Sequence, residues 1–315
     1  MPRRSTWGRR SRRNGAPPIR GYWQMADALL LARPRPAARP RLDGASGMLM
    51  PLLLMLLLVH IGPMLWFFFQ TFADVEEGFL QQVSALVLSP VMLQVIWNTV
   101  WISAAVTLLA LLCAYPIAYS LCHVSRGAAA LIFICVIVPY FTSVVVRTYS
   151  WMVILGRNGL VNQLLMSTGL ADAPVGLMYN RTGVLIGMVY VLLPYLVLTL
   201  YAAMKSIDTN LLRAASGMGA SGLFTFWRVF LPLSMPGVIS GCLIVYILAI
   251  GFFITPALMG GAQDMMIAML IQREIETNLN WGLAAVLSLV LLVITMLLYV
   301  IYCRYTQIDR MMGKH

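Results

Sequence analysis

Six windows of this chain contain no Lys, Arg, Asp or Glu, and each is about the 20 residues that a helix needs to cross a lipid bilayer. They run from Met48 to Phe69, about Val95 to Cys122, Ala128 to Val146, Gly183 to Met204, Val238 to Met259 and Trp281 to Cys303. In hydrocarbon a backbone N–H or C=O finds no water, so a spanning segment must close its hydrogen bonds internally, as a helix does. Apolar windows of this length exceed the buried helices of soluble proteins. Composition agrees: 60% of residues are hydrophobic and only 10% charged, against roughly 25% charged in an ordinary soluble domain. The expected fold is an all-α integral membrane protein with six transmembrane helices over residues 48–305. Pro51, Pro63, Pro116, Pro194 and Pro256 lie in these windows or near their ends, where membrane helices accept proline as a kink.

Basic residues orient the spans. With both termini in the cytoplasm, Arg126, Lys205, Arg213, Arg228, Arg304, Arg310 and Lys314 fall inside, together with eleven Arg in residues 1–47. Only Arg147, Arg157, Arg181 and Arg273 then lie outside, beside Asp74, Glu76, Glu77, Asp172, Asp264, Glu274 and Glu276. That asymmetry follows the positive-inside rule even without the Arg-rich extension. Residues 1–47 combine Arg with Pro, Ala and Ser, too little apolar surface to fold. They are expected to form a disordered cytoplasmic tail drawn to anionic membrane lipid, and not to bind nucleic acid. The first apolar run is too long for a secretory signal peptide, and it starts too far downstream of "RRS" for a twin-arginine signal. Residues 306–315 form a second, short cytoplasmic tail.

Several chemistries have no residues to carry them. Cys113, Cys122, Cys135, Cys242 and Cys303 all fall in predicted spans without paired spacing, so neither a disulfide framework nor a zinc site is expected. His60, His123 and His315 are too scattered for a metal. Lys205-Ser206 follows Met204 rather than Gly, so there is no phosphate-cradling loop. No catalytic residue and no cofactor is expected in this chain. The spans also lack carboxylates, which ion-coupled carriers usually place at membrane depth. Two classes remain: a facilitative channel or carrier, or the membrane subunit of a machine driven by another chain.

The segment 205–237 separates these classes. Its stretch "LLRAASGMGASGLFTFWRVFLPLSMPG" is expected to hold a short helix over Asn210 to Met218, capped by Asp208 or Thr209 and ended by Gly219 in the left-handed conformation. Phe224, Phe226, Trp227, Val229 and Phe230 would hold it at the membrane surface, and Pro232 and Pro236 would break the chain before the fifth span. Such a helix can serve as a docking knob.

"RAASGMG" followed nine residues later by "VFLP" resembles the E-A-A-x-x-x-G-(nine)-I-x-L-P signature of permease subunits in bacterial binding-protein-dependent ABC importers. Ala214, Ala215, Gly219, Leu231 and Pro232 fall on the motif, while Arg213 stands where the family has Glu. "VPYFTSVVVRTYSWMVILGRNGLVNQLL", "GMVYVLLPYLVLTLYAAMKSID" and "LPLSMPGVISGCLIVYILAIGFFITPALMGG" are similar to first-subunit permeases of the spermidine/putrescine type; the likeness extends over about residues 48–305. The resemblance implies the type I importer permease fold in the inner membrane. It also implies ATPase coupling through Arg213, Ala214, Ala215, Gly219, Leu231 and Pro232. The implied partners are a second, related permease, an ATPase dimer that binds ATP and Mg, and a periplasmic solute-binding protein. Relatives with this pattern import other small solutes too.

Arg147 has two readings: it lines the translocation path, or it snorkels to the interface beside Tyr149 and Trp151. Snorkelling is favoured, since an Arg in the path would repel a polyamine. Asn98, Tyr115, Tyr190, Tyr195 and Tyr201 are further candidates for path lining.

Overall fold

The computed structural model describes residues 44–73 and 88–312. The proposed tail, up to residue 43, and the final residues 313–315 lie outside the described residues. Two units are distinguished, Met1–Leu65 and Trp66–His315. α1 (Gly44–Leu56), in the first, passes through a π turn at Leu57–Ile61 into α2 (Gly62–Ala73), within which the boundary falls, so helix begins four residues before the expected Met48. The apolar side chains from Leu49 to Val59 are all exposed.

The second unit is built on three long helices: α3 (Pro90–His123), α7 (Arg181–Lys205) and α10 (Leu231–Ile250). α3 starts where Ser89 Oγ accepts the Met92 N–H at 3.2 Å with Pro90 in the first turn, and α7 where Asn180 Oδ1 accepts the Gly183 N–H at 3.0 Å. These caps satisfy donors that a helix start leaves open. The core is two stripes at a four-residue spacing. Ile102, Val106, Ala110, Ala114 and Ala118 on α3 pack in one cluster with Val184, Met188, Leu192, Leu196 and Leu200 on α7. The small residues lie on α3, so the bulk of α7 fits against them. α10 joins through Gly237 and Gly241: a Cβ on Gly237 would collide with the Ala203 side chain, and one on Gly241 would stand 2.8 Å from Leu196 Cδ1. This Gly-x-x-x-Gly pair lets the backbones of α10 and α7 approach closely.

Three windows depart from straight spans. The third is α4 (Arg126–Ile137), a 3-10 turn at Val138–Phe141, and α5 (Val144–Leu155) continuing towards α6 (Leu160–Ser167). The two arms bend by 106°, because Pro139 removes a donor and Thr142 and Ser143 are extended, with ψ of 152° and 138°. The fifth window ends at Ile250, after which a turn at Gly251 leads to a separate α11 (Ile254–Met259). The sixth, α13 (Trp281–Met312), runs past the expected boundary into the segment read as a tail. α8 (Thr209–Gly217), α9 (Gly222–Thr225) and α12 (Ile267–Glu276) complete the described α-helices, with a π turn at Phe226–Phe230 and a 3-10 turn at Ala262–Asp264. Among the described residues five helices are long and apolar enough to cross a membrane, six if the bent pair is one span.

Candidate coupling loop and translocation residues

α8 is a short helix closed at both ends. Asp208 Oδ1 accepts the Asn210 N–H at 2.9 Å. At the other end Gly219 has φ of +87°, the Gly219 N–H reaches Ser216 O and the Ala220 N–H reaches Ala215 O at 3.1 Å. That is the glycine-ended stop expected for the helix. The Ala pair is divided in its roles: Ala215 is buried and Ala214 exposed. Leu212 packs against the main core, while Leu211 and Arg213 are exposed. Among the described residues Arg213 makes no hydrogen bond or ion pair. The helix thus has one face held by the protein and one face free.

The aromatic run after α8 does two things. Phe224 and Trp227 are exposed, as a membrane-surface anchor requires, but Phe226 and Phe230 turn inward. Their rings stand 5.4 and 5.1 Å from that of Tyr119 on α3, and His123 stacks on Tyr119 at 4.1 Å. The loop is therefore clamped to the end of α3 by edge-on ring contacts. Pro232 and Pro236 do not break the chain as expected. Helix is continuous from Gly222 to Ile250, because a π turn at Phe226–Phe230 shifts the hydrogen-bond register, the Leu231 N–H reaching Phe226 O. Pro232 then follows directly on the π turn, the kind of local adjustment by which a membrane helix accommodates a proline. Leu231 is half-buried and Pro232 exposed.

The candidate path residues do not form one group. Tyr115 lies near the loop end, its hydroxyl 3.0 Å from Ser234 Oγ on α10. Tyr201 is close by, accepting from Lys205 Nζ at 3.0 Å. Tyr195 packs its ring 5.4 Å from Tyr140. Tyr190 lies 5.3 Å from Trp151 and lines two clefts, of 360 and 370 Å³. Asn98 is at the far end of α3, about 37 Å from His123 at 1.5 Å per residue. It is buried, and its Nδ2 donates to Gln263 O at 2.6 Å and to Met265 O at 3.4 Å. Its Oδ1 accepts from Arg181 Nη2 at 3.4 Å, and Arg181 Nε pairs with the buried Asp264 at 3.1 Å. This amide fastens the loop before α12, and its polar atoms are committed to protein partners.

Arg147 corrects the snorkelling reading. The bend after Phe141 puts it in the first turn of α5, where it is only 8% exposed and its Nε has no hydrogen-bond partner. It lines the 370 Å³ cleft with Tyr190 and Trp151. The sequence reading also missed Ser234, the Arg181–Asp264 pair and the buried Asn162, which binds the backbone of Val175 from both sides. Only the glycine pair on α10 had a sequence signal, its four-residue spacing.

A bundle of long apolar helices with a short glycine-ended helix beside it has the build of a multi-pass membrane protein. The chain belongs to the family described as binding-protein-dependent transport system inner membrane component, which it matches over residues 116–310. It is 36% identical over 216 residues to the spermidine/putrescine transport system permease protein PotB of Haemophilus influenzae, covering 69% of this chain and 76% of that one. Identity to PotB of Escherichia coli strain K12 is 33% over 238 residues, 74% and 86% of the two chains. A chain in the crystal structure of a bacterial alginate ABC transporter, in complex with a periplasmic protein bound to an alginate pentasaccharide, shares the fold. The TM-score is 0.67 at 18% identity, with 94% of this chain and 99% of that one covered. Family membership decides against a facilitative channel: the chain is a multi-pass inner-membrane permease subunit.

Proposed function

We propose that this chain is one of two permease subunits in an ATP-driven importer that carries a polyamine such as spermidine or putrescine across the bacterial inner membrane. The observation that carries the solute class is the similarity to PotB from two organisms over more than two thirds of the chain. The second subunit is a related chain, and a periplasmic binding protein delivers the solute. An ATPase dimer holds ATP and Mg and docks on α8 from the cytoplasm.

The build of α8 suits that docking. It is closed by Asp208 and Gly219 and backed by Leu212 and Ala215. Through the Phe226 and Phe230 contacts it is tied to α3, and its loop runs on into α10. A pull on α8 is then passed to two core helices instead of being absorbed in a slack loop, as alternating access needs. Arg213, Ala214 and Gly219 present the exposed side, while Leu231 and Pro232 set the entry into α10.

The test is reconstitution with the cognate ATPase, second permease and binding protein in proteoliposomes. ATP-dependent uptake of labelled spermidine is expected, with the binding protein heat-stabilised by spermidine or putrescine. Stabilisation only by a sugar or an anion removes the polyamine assignment, and ATP turnover by the purified chain alone removes the division of labour.

A further inference from the structure

The cleft beside Arg147 is unusual in its hydrogen-bonding balance. Thr142 Oγ1 donates to Pro139 O at 2.6 Å, and Ser150 Oγ donates to Val146 O at 2.8 Å. Both hydroxyls have thus spent their protons on the backbone. The groups in the cleft that still have protons to give are the Arg147 guanidinium, the Tyr190 hydroxyl and the Trp151 ring N–H. Among the described residues none of these donors has an acceptor. Arginine offers donors only and stays charged in proteins, so a guanidinium this far buried, its Nε without a partner, leaves a positive charge for an anion to balance. No Asp or Glu of this chain lies in a predicted span to supply one.

We propose that the Arg147 cleft is a carboxylate-binding site whose ligand comes from outside this chain. The flat fork of the guanidinium fits a carboxylate in a two-point contact, with Tyr190 and Trp151 as flanking donors. The carboxylate has two possible sources, an acidic side chain of the second permease subunit and a free carboxylate solute; the first rests on the subunit pairing proposed above. In either case a polyamine is excluded from this cleft as it stands, since its ammonium groups would meet a fixed positive charge and no anionic acceptor.

The experiment uses sodium acetate as the probe on the purified full-length chain in detergent, with sodium chloride at matched ionic strength as reference. Acetate is expected to raise the unfolding temperature in a saturable way. Arg147→Gln should weaken the apparent affinity at least tenfold, and Tyr190→Phe a few-fold. Arg147→Lys keeps the charge and guards against a folding failure of the Gln variant; its point charge lacks the two-point contact, so several-fold weaker binding is expected. In the assembled importer, loss of the acetate response identifies the partner's side chain as the ligand, and persistence identifies a free carboxylate. Equal acetate responses from the native chain and both Arg147 variants overturn the proposal. Stabilisation by phosphatidylglycerol in nanodiscs without any acetate response overturns it too, in favour of a lipid phosphate. Polyamine uptake enters none of these readings, so the site and the solute assignment fail separately.

Discussion

Asn98 and Arg213 are both single polar residues picked out from the sequence, and their surroundings give them opposite fates. Asn98 is buried, and the carbonyl of Gln263 depends on its amide. Asn98→Ala should therefore cost about 1–3 kcal/mol, the usual penalty for stranding a buried polar group. A lower unfolding temperature and faster proteolysis of the loop around residue 263 would register it; an unchanged protein would mean the loop is held by Arg181 and Asp264 alone. Arg213 stands free on α8, and its charge is opposite to the acidic residue in the signature that this loop resembles. If α8 docks as proposed, the cognate ATPase offers Arg213 an acidic or neutral partner. Like charges across an interface cost up to several kcal/mol, so Arg213→Glu should weaken assembly and transport with the native ATPase. A reversed charge on the ATPase should restore them in part. Pull-down of the ATPase and uptake measure this, and unchanged values for both would exclude position 213 from the contact.

Helix packing exposes glycines to a test that the loop glycines escape. A side chain at Gly237 has no room against Ala203, so Gly237→Leu should force α10 away from α7 and cost about 1–3 kcal/mol or more, as overpacking does. Gly217, in the last turn of α8, has open space around its missing Cβ, so Gly217→Ala should leave stability level or raise it by up to about 1 kcal/mol. Thermal unfolding of the two variants side by side separates packing from backbone freedom. α8 itself was legible in the sequence because its signals are local: an Asp cap, a stretch of nine residues and a glycine stop. The junction with α10 was not legible. Proline reads as a breaker in any sequence pattern, and only the π turn before it shows why the helix continues.

For the molecule as a whole, the distribution of Lys and Arg makes a topology prediction. Reporter fusions should place Gly127 and Ser221 in the cytoplasm and Asp172 and Asp264 on the opposite face. A periplasmic signal at Ser221 would remove both the topology and the docking of an ATPase on α8. What the sequence determined by itself is the solvent and the class of fold, because about 20 uncharged residues in lipid have few options besides helix. It also determined the short helix α8, whose caps act over a few neighbours. The tertiary structure decided where the polar residues of the spans point. Nothing local distinguishes an Arg that reaches the membrane surface from one turned inward, and Arg147 is buried because the chain bends by 106° just before it. Likewise Asn98 meets Gln263 across 165 positions of sequence. No periodicity within one helix contains that partner, which comes into reach only when α3, α7 and the loop before α12 are packed together.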